Sequence, residues 1–188
     1  MERVELDPIA EILVQSYFGT ASYSRQFNDE HQQPPTAAAK AHHLRSVAQA
    51  LINQDNRLRL DPEYAEYGRL SFMDVESGET YLVRSSAAVR IEAEVQARLF
   101  DMKPYLRSAV TLLVYRFHEL GVDLSSTGTR QVRGHRRLVP SGTPEFVGMW
   151  PYATSSPPPF DQGPGSAWDD LGELGHDAEQ EGDEGEAV

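Results

Sequence analysis

The sequence predicts an α+β fold: one domain over residues 1–150, followed by a disordered, Pro/Gly-rich acidic tail over 151–188. Three observations carry this expectation. Apolar residues recur at helical spacing in two stretches near the start of the chain. Short alternating stretches joined by Gly and Pro turns then surround a second pair of helical patterns, and runs of strands between runs of helices point to α+β with an antiparallel sheet. Finally, composition changes at Trp150. Residues 151–188 hold ten acidic side chains, no Lys or Arg, five Pro and six Gly, too little apolar content to offset chain entropy. The tail carries −10 of the formal net charge of −12, leaving about −2 for residues 1–150.

Each element has a local reason. Asp7-Pro8 reads as a helix start, with Asp as cap and Pro at the first helical position. Ile9, Ile12, Leu13 and Tyr17 follow at helical spacing, and Gly19 is positioned to end the helix. Residues 20–35 are polar and close on Pro34-Pro35, so they read as a mobile loop. Thr36 caps a second helix whose apolar stripe is Leu44, Val47, Ala48, Leu51 and Ile52. Leu58 and Leu60 share one side of a short strand. Leu70–Val75 and Thr80–Val83 then form the clearest hairpin, with Ser77-Gly78 in its turn. Ser85 or Ser86 caps a helix with the face Ala88, Ile91, Val95, Leu99 and Met102. Pro104 starts a central helix ended by Gly121, in which Leu106, Ala109, Val110, Leu112, Leu113, Val114, Phe117 and Leu120 point nearly all round. A helix of that kind belongs in the middle of a core. Short extended pieces at 131–133, 136–139 and 145–149 complete the domain.

Composition bounds the function. About 150 foldable residues suit a single core without disulfides or a structural metal. The chain has no cysteine, which removes thiol catalysis and thiolate zinc sites and fits a reducing, cytoplasmic setting. The start of the chain is charged and lacks a signal-type apolar core. The longest apolar stretch, near 109–115, is far short of the roughly 20 residues that span a bilayer. No cofactor, metal or membrane association is expected.

Two constellations remain. Arg130, Arg133, Arg136 and Arg137, with His135 among them, form a dense cationic run, and Phe146, Trp150 and Tyr152 lie just downstream. Guanidinium groups suit oxyanions, and aromatic faces can stack on unpaired bases. In the tail, Trp168, Leu171 and Leu174 sit three apart among carboxylates, a pattern of acidic–aromatic segments that fold against a groove or a basic surface. The remaining polar groups are weaker leads. His42-His43 diverge by about 100° on a helix. Ser125–Thr129 has the composition of an anion nest but does not lead into a helix. Glu92 with Glu94, and Glu63 with Glu66, read as solvated faces. The phosphate-loop, dinucleotide and nucleophile-elbow motifs are absent.

The expected function is a non-enzymatic interaction protein of adaptor or accessory type, with a protein partner contacted by the Arg run and the tail. The alternative is a nucleic-acid-binding protein acting through Arg130–Arg137 with the tail as competitor. A third reading is an enzyme with an unrecognised site near His118 and Tyr115.

Overall fold

A computed structural model describes residues 6–61, 69–86, 88–89, 105–132 and 138–152. It is a single α+β domain with two helices and a mixed sheet of seven strands. The helices are α1 (Asp7–His31) and α2 (Ala37–Ile52). The strands are β1 (Leu58–Leu60), β2 (Leu70–Asp74), β3 (Thr80–Ser85), β4 (Tyr105–His118), β5 (Gly121–Val132), β6 (Leu138–Pro140) and β7 (Glu145–Pro151). Their order is β1-β2-β3-β4-β5-β6, and β7 pairs with β5. One long strand, β5, therefore carries both late strands on the same edge: β7 along 121–126 and β6 along 129–131.

Most early elements follow the sequence. Thr36 caps α2, its Oγ1 accepting from Ala39 N at 3.2 Å. The β2–β3 hairpin turns through Gly78 at φ 70°, a left-handed conformation that glycine adopts without Cβ strain. Asp74 Oδ1 accepts from Ser77 N at 2.7 Å and closes that turn.

Four expectations are corrected. The first concerns α1, which does not end at Gly19. It continues through the segment read as a mobile loop and ends at His31. Gly19 lies inside the helix facing α2, where a Cβ would make an ordinary van der Waals contact with Val47 Cγ1 at 3.6 Å. The following face is built of small hydroxyls and alanine. Ser16, Thr20 and Ser24 are buried, and each returns its hydroxyl to the carbonyl four residues back, at 2.7, 2.8 and 2.9 Å. A hydroxyl satisfied in this way can be buried between helices. Sequence periodicity counts only large apolar residues and so passes over such a face.

The second correction concerns Asp7. It is the first residue inside α1, and the capping position is Leu6, which makes no side-chain cap bond. Instead Asp7 Oδ1 accepts from Trp150 Nε1 at 2.7 Å and ties the first helix to the last strand.

The central helix is the largest correction. Residues 105–118 are a strand, β4, buried on both faces over Leu112–Tyr115. Leu113 and Tyr115 join the large core under α1 and α2 together with Ile9, Leu13, Ile52, Phe72, Val122 and Trp150. Leu112 and Val114 point the other way, into a smaller core with Leu82, Val89 and Leu138. A strand packed on both sides reads as a continuous apolar run, which periodicity alone cannot tell from a buried helix. The distinguishing signal is composition, because Val110, Thr111, Val114, Tyr115 and Phe117 are β-branched or aromatic.

Lastly, the sheet is not wholly antiparallel. β3 and β4 pair in parallel, Ser85 opposite Tyr115, and a parallel pair needs a crossover. Its start is seen at Ser86 and Ala88–Val89, helical as expected, with Ser85 Oγ accepting from Ala88 N at 3.3 Å. The rest of that helix's apolar face, from Ile91 to Met102, lies outside the described residues, as does the tail.

The domain runs two residues past Trp150. Tyr152 N donates to Leu120 O at 3.0 Å. The Tyr152 ring stacks on Tyr17 at 5.7 Å and meets Phe18 edge-on at 5.2 Å. No helix among the described residues is long and apolar enough to cross a membrane.

Candidate functional site

The β4–β5 ribbon gathers the polar residues of most interest at one end. Its core end is regular, from Tyr115 opposite Leu124 to His118 opposite Gly121. Towards the start of β4 the register shifts between Arg107 and Thr111. Two groups hold this irregularity. Thr129, buried on β5, donates its Oγ1–H to Val110 O at 2.6 Å, and Ser108 Oγ accepts from Val110 N at 3.1 Å. Beyond the shift, Arg107 stands directly opposite Arg130. Bulges of this type recur next to functional sites, where they re-aim a strand.

The register thus sets two arginine positions, one on each strand, opposite each other at this end of the ribbon. On the other side of β5, Arg130 pairs with Val139 and Gln131 with Leu138 on β6. Arg130 itself is half-buried on β5. Arg133, His135, Arg136 and Arg137 belong to the connection between β5 and β6 and lie outside the described residues. The topology nonetheless anchors that connection at the same end of the ribbon as Arg107, through Val132 and Leu138. Guanidinium groups at this density can hold carboxylates or phosphates in bidentate fashion. Arg107 escaped sequence reasoning because the central segment was assigned to a helix, which separates it from Arg130.

Ser125–Thr129 does not form a nest. It lies inside β5, where the backbone groups serve the β4, β6 and β7 ladders. Gly128 lies close to the chain that follows β6: a Cβ would lie 2.8 Å from the rotatable Ser141 Oγ, and Ser141 N donates to Gly128 O at 2.9 Å.

The histidines serve local structure. His42 is exposed, while His43 lies against α1, its ring stacked on Tyr23 at 4.4 Å. Thr20 gives its one hydroxyl proton to Ser16 O, so its Oγ1 accepts from His43 Nδ1–H at 3.2 Å. Desolvation by burial holds the His43 pKa below its ordinary value. His118 ends β4, where its Nδ1 accepts from Leu120 N at 3.3 Å. That contact leaves Nε2–H to donate to Asp123 Oδ1 at 3.2 Å. On a helix, His118 and Tyr115 would share a face. Three apart on a strand, they point to opposite faces, with Tyr115 in the core and His118 at the turn. The structure does not bring them together.

Among the described residues no cluster of three or more His, Asp or Glu is arranged to hold a metal ion. Glu63, Glu66, Glu92 and Glu94 lie outside the described residues, as do Trp168, Leu171 and Leu174. No family model matches the chain, and neither a curated protein nor a solved structure matches it.

Proposed function

We propose that the protein is a non-enzymatic, cytoplasmic interaction module of adaptor or accessory type. In this reading the Arg-rich end of the β4–β5 ribbon grips an acidic segment of a protein partner. The acidic–aromatic tail segment around Trp168, Leu171 and Leu174 supplies a second contact. One observation supports the reading above others: Arg107 and Arg130 stand opposed across the ribbon, at the end where the Arg133–Arg137 connection is anchored. Arginines gathered at one end of a ribbon can hold the carboxylates of an acidic segment lying across it in bidentate fashion. A domain of near-neutral net charge favours such a local grip over non-specific duplex binding.

The test is a fluorescence titration of the full chain with a labelled poly-glutamate peptide and with a single-stranded oligonucleotide, at low and moderate salt. The reading expects saturable, salt-weakened peptide binding that falls about tenfold or more in Arg130→Gln. Tighter oligonucleotide binding through the same arginine would transfer the site to nucleic acid. Binding of neither, or binding indifferent to Arg130→Gln, would remove it.

A further inference from the structure

A second cation lies in the interior, far from the ribbon's arginine end. Arg45 sits at the middle of α2, where its neighbour Leu44 packs with Tyr17, Phe117 and Tyr152. This stretch of α2 therefore lies over the carboxyl end of β4. Tyr115, buried on β4, is near enough to feel the guanidinium charge of Arg45. Ser85, also buried, stands opposite Tyr115 in the parallel β3–β4 register.

The environment of Arg45 is incomplete. Its Nε is buried and has no hydrogen-bond partner. Among the described residues no carboxylate pairs with it. Buried donors are normally satisfied, and a buried charge without a partner carries the largest penalty of this class. One turn to either side on the same helix are Ala41 and Ala48, both buried and both small. The residue as a whole keeps partial exposure, so the outer part of the guanidinium fork is reachable from solvent while Nε faces inward. Burial pushes the Tyr115 hydroxyl up to about 12, against the smaller opposing effect of Arg45, so it remains a proton donor at any physiological pH.

We infer that Arg45 and Tyr115 form a binding site for a small oxyanion, a carboxylate or phosphate group, between α2 and the β3–β4 pair. The guanidinium fork supplies Nε–H and an Nη–H to two oxygens of one ligand group, and the Tyr115 hydroxyl is placed to donate to it. Such a ligand supplies a negative charge that none of the described carboxylates brings to Arg45. This inference stands apart from the proposed function, since none of its residues belongs to the ribbon's arginine end.

The experiment measures thermal unfolding of the full chain in sodium acetate or inorganic phosphate, against sodium chloride at equal ionic strength. At least one of the two oxyanions should raise Tm saturably, as a native-state ligand does, and the responding ion tells carboxylate from phosphate. Arg45→Met should raise Tm in chloride, by removing an uncompensated charge, and abolish the oxyanion response. Tyr115→Phe should weaken the response severalfold. A wild-type Tm that neither oxyanion moves beyond the chloride control overturns the inference, as does a response retained in Arg45→Met. Should Arg45→Met fail to fold, the Nε–H resonance of Arg45 in the wild-type protein, assigned against Arg45→Lys, decides. A saturable shift on titration supports the site, and an unmoved resonance overturns it.

Discussion

The two ends of the β4–β5 ribbon contrast sharply although the same two strands build both. At one end, Tyr115, Phe117, Val122 and Leu124 lie under the helices, and Tyr17 stacks on Phe117 at 4.3 Å. The last strand is locked on by the Trp150–Asp7 hydrogen bond. At the other end the register breaks and Arg107 meets Arg130. The first end is built from packed apolar and aromatic side chains, and the second sets two arginine positions opposite each other. The bulge held by Thr129 separates the two regimes. The proposed binding role needs such a division, because binding groups are commonly carried on a rigid scaffold.

The largest effect that could break this contrast lies at the core end. Trp150→Ala should cost about 3–5 kcal/mol, through the cavity it leaves and the donor that Asp7 loses. Urea unfolding should show a much lower midpoint with an unchanged slope. Trp150→Phe keeps most of the ring volume and separates the hydrogen bond, at about 1–3 kcal/mol. Gly121 comes next. It opens β5 where the Trp150 carbonyl presses so close that a Cβ would collide with it. The same residue was expected to end a helix, and close strand approach replaces that role. Gly121→Ala should cost about 1–3 kcal/mol and speed hydrogen exchange of the β7 amides above all others.

Smaller changes at the charged end should sharpen the contrast. Thr129→Val removes the bond to the Val110 carbonyl at the register shift, for about 1–2 kcal/mol, and should also weaken poly-glutamate binding by loosening the Arg107–Arg130 opposition. Arg107→Glu should act in the opposite sense on stability. It sets unlike charges at opposed positions, worth about 0.2–1 kcal/mol in favour of the ribbon, while poly-glutamate binding falls. A variant that is more stable yet binds less would separate the two ends functionally. Equal losses of stability and binding would show that the arginine end is ordinary scaffold.

How much of this was legible in the sequence depended on what carried each signal. Thr36, the Ser77-Gly78 turn and the β2–β3 hairpin were readable because the information is local: a cap, a glycine and an alternation. The second half of α1 was not, because its buried face is Ser, Thr, Ala and Gly, and only the partner helix shows that these are interior positions. β4 failed in the opposite way. Its apolar residues were abundant, and both a two-sided strand and an enveloped helix explain them. That one misassignment also hid the site, since a helix cannot set Arg107 against Arg130. Arg130 itself was legible as charge density, which needs no fold to be seen. The buried Arg45 Nε, without a hydrogen-bond partner among the described residues, was not legible, because burial and pairing belong to three-dimensional packing.

The smallest expected effect tests the α1–α2 interface beyond the sheet, where His43 sits. Desolvation lowers its pKa from the model-compound value of 6.5, so the folded state binds this proton less readily than the unfolded chain does. The stabilising contribution is therefore complete above about pH 6.5 and is lost as pH falls through the window between that value and the lower folded one. The ring that faces it from α1 is Tyr23, and its hydrogen-bond partner there is Thr20, neither of which is charged in this range. His43→Phe keeps a ring against Tyr23 and cannot titrate. Between pH 7.5 and 5.5, Tm of the wild-type protein should fall more steeply than Tm of this variant, by a margin reduced by the partial exposure of the site. Parallel curves would mean that His43 is as well solvated in the folded protein as in the unfolded chain. The second half of α1 would then cover its partner helix less closely than its buried hydroxyls imply.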